Sequence, residues 1–243
     1  MSAQDRLRET VAAVQLRLKY IRIEGLAKEH APLLEVSAAL VRGTHQHCHS
    51  VLALAEANSW AGMATVERAA WEMWNELDYL LRSDDPPYTA VKVQANAVFD
   101  VIDLLQKTPN APSGMLQRNE EFRDRLEAEH SNAVAEVRKQ RKDRKWHWSG
   151  ISRTAVVGPD DASRQVYKLL SWESHPDIAS LRYIDVVFEG DHALVRFGDE
   201  GNGVASDRSS RSATELLLRS WNLFAQFWGL EPITGIAGWS QDA

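Results

Sequence analysis

The chain has 243 residues, 44% of them hydrophobic and 26% charged. That composition excludes wholesale disorder and fibrous repeats, and the length suffices for one large domain or two small ones. The formal net charge of -6 argues against a surface that grips nucleic acid all over, because phosphate binding draws on many Lys and Arg contacts, but leaves room for local basic patches.

No stretch approaches twenty apolar residues, and the opening MSAQDRLRET is polar, so neither a membrane span nor a signal peptide is expected. A single cysteine, Cys48, cannot form an internal disulfide. A reducing, cytoplasmic setting is the expectation.

Residues 5–29 carry Leu7, Val11, Val14, Leu18 and Ile21 at alternating spacings of four and three, the mark of one apolar helical face. Pro32 opens a second periodic run, Leu33 to Ala57, interrupted by Gly43, where a kink or close packing is expected. Ser59 or Thr65 caps a third helix reaching about Arg82, with Val66, Ala70, Met73 and Leu77 on one side, and the segment SDDPP ends it.

Beyond Pro87, Val91, Ala95, Val98, Ile102 and Leu105 repeat the rhythm, and KTPNAPSG follows as a loop. A fifth, long and mostly polar helix runs from about Met115 through Phe122, Leu126, Ala133 and Val137 toward Arg144. Asp160 or Asp161 caps a sixth, roughly Ala162 to Ser174, which Pro176 closes.

The period then changes. YIDVVFEGDHALVRFG reads as a β-hairpin with a four-residue loop at Glu189 to His192, and since a lone hairpin is marginal in water it should lie against the helices. The Gly, Ser and Asp-rich GDEGNGVASDRSSRS reads as a mobile loop before a last helix, which holds Leu217, Trp221, Phe224 and Trp228 on one stripe and stops at Gly229 and Pro232. The expected fold is mainly α: a bundle of six or seven helices over 1–180, with the hairpin and the C-terminal helix of 181–243 packing on it in one structural domain.

The segment RKDRKWHWSG, Arg141 to Gly150, concentrates basic and aromatic side chains. Arg141-x5-His147 here, and Arg125-x4-His130 upstream, resemble the Arg–His motif of the HEPN (higher eukaryotes and prokaryotes nucleotide-binding) helical ribonucleases. In such a site a histidine near neutral pKa moves the proton of a 2'-hydroxyl, and an arginine fork stabilises the charge growing on phosphate. At about 100° per residue, Arg125 and His130 stand about 140° apart and Arg141 and His147 about 240° apart, so neither pair shares a face unless the helix bends or ends. Lys142, Arg144 and Lys145 would hold the phosphate backbone; the competing reading is a basic helix end favoured by the macrodipole.

Several segments in order, TVERAAWEMWNELDYLL, then HWSG, then YKLLSWESH with Tyr167, Ser171 and His175, resemble the bacterial domain-of-unknown-function family numbered 5677 over roughly residues 35–180. The resemblance implies a helical fold and no particular reaction. Tyr167, Ser171 and His175 stand at successive fours, as do Arg68, Glu72 and Glu76. They suggest a polar pocket between helices three, five and six in which Glu72 orients His147 or His175 and Arg68 offers a fork to an anion. The competing reading is a solvated salt-bridge ladder.

THQHCHS places His45 and His49 on one helical face, two candidate metal ligands where a closed site needs four. No metal or other cofactor is therefore called for. Phosphate-binding glycine loops, a Gly-x-Ser-x-Gly elbow and paired Cys-x2-Cys motifs do not occur. The leading expectation is a metal-independent, HEPN-like ribonuclease in a defence or toxin-type response, with RNA as substrate and a homodimer as an expected state, since HEPN-type sites form across two chains. The alternatives are a non-catalytic scaffold with a protein partner and a metal-dependent hydrolase.

Overall fold

The computed structural model describes residues 1–59, 62–109, 112–142, 184–189, 192–197 and 200–234. The chain is mainly helical: α1 (Ala3–Leu18), a short 3-10 turn (Lys28–His30), α2 (Ala31–Glu56), α3 (Met63–Arg82), α4 (Pro86–Lys107), α5 (Ser113–Glu129), α6 (Ser131–Lys142) and α7 (Glu200–Trp228). Between α6 and α7, the backbones of β1 (Ile184–Glu189) and β2 (His192–Phe197) pair antiparallel with Ile184 opposite Phe197. Among the described residues, no helix is long and apolar enough to cross a membrane. The sixth helix expected at Ala162 to Ser174 lies outside the described residues.

The fold divides into two compact units, one of Met1–Ile23, Val41–Asn75 and Val157–Ala243, the other of Glu24–Leu40 and Glu76–Val156. In the first, α1 starts from a capping box: the Asp5 amide donates to Ser2 Oγ at 3.1 Å while the Asp5 carboxylate accepts from the Ser2 amide at 3.3 Å. Its buried stripe, Leu7, Val11 and Val14, packs along α7. Each such side chain fully buried contributes roughly 1.5–3 kcal/mol.

The helix expected through residue 29 stops at Leu18, where the Lys19 amide still reaches Gln15 O but the chain then turns. Leu18 and Ile21, the last members of the sequence stripe, are only half-buried, and Gly25 takes a left-handed φ of 69°. Apolar spacing continued past the point where packing could reward it.

The segment expected as a mobile loop before the last helix is instead part of α7 from Glu200 onward. Ser209, Ser210 and Ala213 are buried, and the Cys48 thiol of α2 donates to Ala213 O at 3.3 Å. Small residues there admit a neighbouring helix closely, and an Asp207–Arg211 pair one turn apart, at 2.7 Å, supports the outer face. Composition resembled a loop because close packing and flexibility select the same small residues. Gly229, at φ 65°, ends the helix as expected, with the Leu230 amide donating to Ala225 O at 2.8 Å.

In the second unit, Asp85 caps α4 by accepting from the Tyr88 amide at 3.0 Å, with Pro86 and Pro87 in the first turn. Ala95, Val98 and Ile102 of α4, Leu126 of α5, and Val134 and Val137 of α6 form one core cluster. The single helix expected from Met115 toward Arg144 is two helices that break at His130. Arg138 holds Glu127 through two hydrogen bonds of 2.5 and 2.7 Å, although a straight helix would separate residues eleven apart by about 16 Å along its axis. The turn lets Leu126 and Val134 share one core, and no Gly or Pro marks it.

Candidate functional site

Along α3, Arg68, Trp71, Glu72 and Asn75 occupy positions i, i+3, i+4 and i+7, one face of the helix. Arg68 Nε donates to Glu72 Oε1 at 3.0 Å, and the two side chains are 31% and 15% exposed. Glu76, next along the charged stripe, is buried. The stripe thus runs from half-open surface to interior and is not a solvated ladder along its length.

Within the first unit α2 brings Gly43 against this helix. A Cβ at Gly43 would meet Met73 Sδ at 3.2 Å, so glycine sits where the two helices approach closely. One turn further, His47 is half-buried. Burial holds its imidazole below the usual 6.5, while the charge of Glu72 pulls it back upward. The charge of Glu72, the carboxylate that Arg68 also binds, is therefore felt at His47. The sequence reading did not select His47. Its signal is present in THQHCHS: if His45 and His49 face one way, the residue between them faces another.

Two N–H donors of α3, Trp71 Nε1 and Asn75 Nδ2, are buried without a hydrogen-bond partner among the described residues. Trp71 also packs against Trp74, ring centroids 5.3 Å apart, and the Arg219 guanidinium of α7 lies 5.9 Å from the Trp74 centroid. Nearby, Ser209 Oγ donates to the buried Glu67 carboxylate at 2.8 Å. Cys48 is enclosed, and burial first, then the charge of Glu67, pushes its thiol far up, so it is no nucleophile in this setting.

His45 does a different job from the metal ligation considered for it. It is 6% exposed and its Nε2 lies 3.2 Å from Val11 O, which as a carbonyl can only accept, so that nitrogen carries the proton. The ring of His49 stands 6.5 Å away and is exposed. Among the described residues, no group of three or more His, Cys, Asp or Glu is placed to hold a metal ion.

In the second unit, Arg141 is engaged within the fold. Its guanidinium donates to Asn96 Oδ1 at 2.7 Å, Asp100 Oδ1 at 2.6 Å and Asp103 Oδ2 at 2.7 Å, and stacks over Phe99 at 5.6 Å. Lys142, next in line, is exposed. Arg125 lies over the Phe122 ring at 5.5 Å, and His130 occupies the break between α5 and α6, so the helix does end between the members of that Arg–His pair. His147, His175, Arg144, Lys145, Tyr167 and Ser171 lie outside the described residues. The expected pocket is therefore represented only by Arg68 and Glu72.

No family model matches the chain, and neither a curated protein nor a solved structure matches it.

Proposed function

We propose that this chain is a cytoplasmic, bacterial, metal-independent ribonuclease of HEPN-like type, related to the family numbered 5677 and serving in a defence or toxin-type response. The observation that carries the reading is the partly buried Arg68–Glu72 pair, 3.0 Å apart, whose carboxylate charge is felt at His47. An imidazole held below its usual pKa is neutral near pH 7 and free to accept a proton, and a carboxylate close by stabilises the imidazolium that results.

In the proposed reaction His47 takes the proton of a ribose 2'-hydroxyl. The oxygen attacks the adjacent phosphorus, the bond to the 5'-oxygen breaks, and the leaving oxygen receives a proton from a second carrier, His147 or His175. The products are a 2',3'-cyclic phosphate and a 5'-hydroxyl. Arg68 stabilises charge on the phosphoryl oxygens. Lys142, Arg144 and Lys145 hold the RNA backbone, and Tyr167 and Ser171 position it. Arg141 enters as an anchor of α6 on α4, because Asp100 and Asp103 occupy its fork. A homodimer, and a hairpin of β1 and β2 lying against the helices, belong to the same proposal.

The test is cleavage of a single-stranded RNA by the full chain in the presence of a chelator. His47→Ala and Glu72→Gln should lower the rate by about 10²–10⁴-fold and by a smaller factor respectively, with helical circular dichroism retained. A wild-type protein that leaves the RNA intact, or a His47→Ala variant as fast as wild type, would overturn the reading. A second reading, a non-catalytic protein-binding module, draws support from Leu16 and Tyr20, 63% and 72% exposed at the end of α1.

A further inference from the structure

We propose that Trp71 and Asn75 form a subsite that binds a phosphoryl oxygen of the ligand, next to the Arg68–Glu72 pair. This inference rests on the phosphate chemistry of the proposed function but stands on different residues. Trp71 Nε1 and Asn75 Nδ2 are buried donors one helical turn apart, and neither has a partner among the described residues. A buried donor left unsatisfied is rare and costly in folded proteins, and such groups persist where a ligand completes them.

The chemistry of the pair selects the ligand. Indole N–H and the amide NH2 donate only, so the missing partner is an acceptor. Arg68, one turn before Glu72 on the same face, offsets the carboxylate's charge and admits an anion. Asn75 is 4% exposed, so its donor is held out of water and lost hydrogen bonds there are not recovered from solvent. An oxygen carrying negative charge is the strongest acceptor for each donor, and phosphate esters offer such oxygens in pairs, one for each.

The experiment follows the indole N–H resonance that disappears in Trp71→Phe, using the full-length ¹⁵N-labelled protein. One titration uses inorganic phosphate and a second uses uridine 3'-monophosphate. Both should move the Trp71 resonance downfield. A tighter response to the nucleotide assigns the subsite to an ester phosphate, and an equal or tighter response to phosphate assigns it to the free anion. Asn75→Leu, which removes the donor while keeping the shape, should abolish the shift without lowering the melting temperature.

A Trp71 resonance that stays still with both probes at millimolar concentration overturns the proposal, as does a shift that survives Asn75→Leu. His47→Ala separates the two readings. Lost RNA cleavage with an unchanged Trp71 shift supports both, whereas a shift seen in a wild-type protein that cuts no RNA retains the subsite and discards the nuclease.

Discussion

His47 of α2 lies within the electrostatic reach of Glu72 of α3, and the two act in opposite senses on one proton: burial discourages the imidazolium and the carboxylate encourages it. This balance keeps the ring neutral near pH 7 yet able to take up charge when a reaction supplies a proton.

Acid should weaken the first unit through its histidines. Burial lowers the pKa of both His45 and His47 from 6.5 in the fold, so the unfolded chain binds more protons below that value. Stability is then fully present above pH 6.5 and declines as pH falls through and below it. Melting temperatures measured from pH 8 to pH 5 should show the decline, and His45→Gln, which keeps a donor for Val11 O, should flatten part of it. A melting temperature constant down to pH 5 would contradict the account.

Arg141 should behave as a structural residue of the second unit. Lysine cannot reproduce a fork that meets Asn96, Asp100 and Asp103 together. Arg141→Lys is expected to cost roughly 1–2 kcal/mol in urea denaturation, discounted because both aspartates are partly exposed. Cleavage by the folded variant should stay within a factor of two or three of wild type.

Cys48 should resist modification. The thiol is buried, donates to Ala213 O and is raised far above neutrality. A colorimetric thiol reagent at pH 8 should find no reactive group in the native protein and one equivalent after denaturation. Rapid labelling of the native form would contradict the described packing of α2 on α7.

The early part of α7 should be rigid. Amides from Asp207 to Thr214 are expected to exchange slowly, and Ala213→Leu, which overfills a position with no exposed surface, should destabilise by roughly 1–3 kcal/mol. Exchange at the rate of a free loop would restore the sequence expectation for this segment.

That segment shows where sequence reading stops. Stripes such as Leu7, Val11, Val14 and Val91, Ala95, Val98, Ile102 were legible because apolar spacing directly encodes a buried face. Ser209, Ser210 and Ala213 were not, since small residues signal a loop or a close helix contact equally well. The break at His130 was hidden because it depends on Leu126 and Val134 reaching one core, a tertiary gain with no local breaker. Within the candidate site, Arg68 and Glu72 were legible as an i, i+4 pair. His47 was not, because the influence of Glu72 on it depends on α2 packing against α3, where Gly43 lies close to Met73, a tertiary relation with no local signature.

The most direct test is the proton equilibrium of His47 itself, followed by imidazole ¹⁵N resonances in wild type and in Glu72→Gln, with His47→Ala identifying the peak. The Glu72 carboxylate accounts for part of the ring's basicity, so its removal should lower the His47 pKa further below 6.5. A His47 pKa that is unchanged or higher in Glu72→Gln would show that acid and imidazole do not act on each other, and the candidate site would be lost.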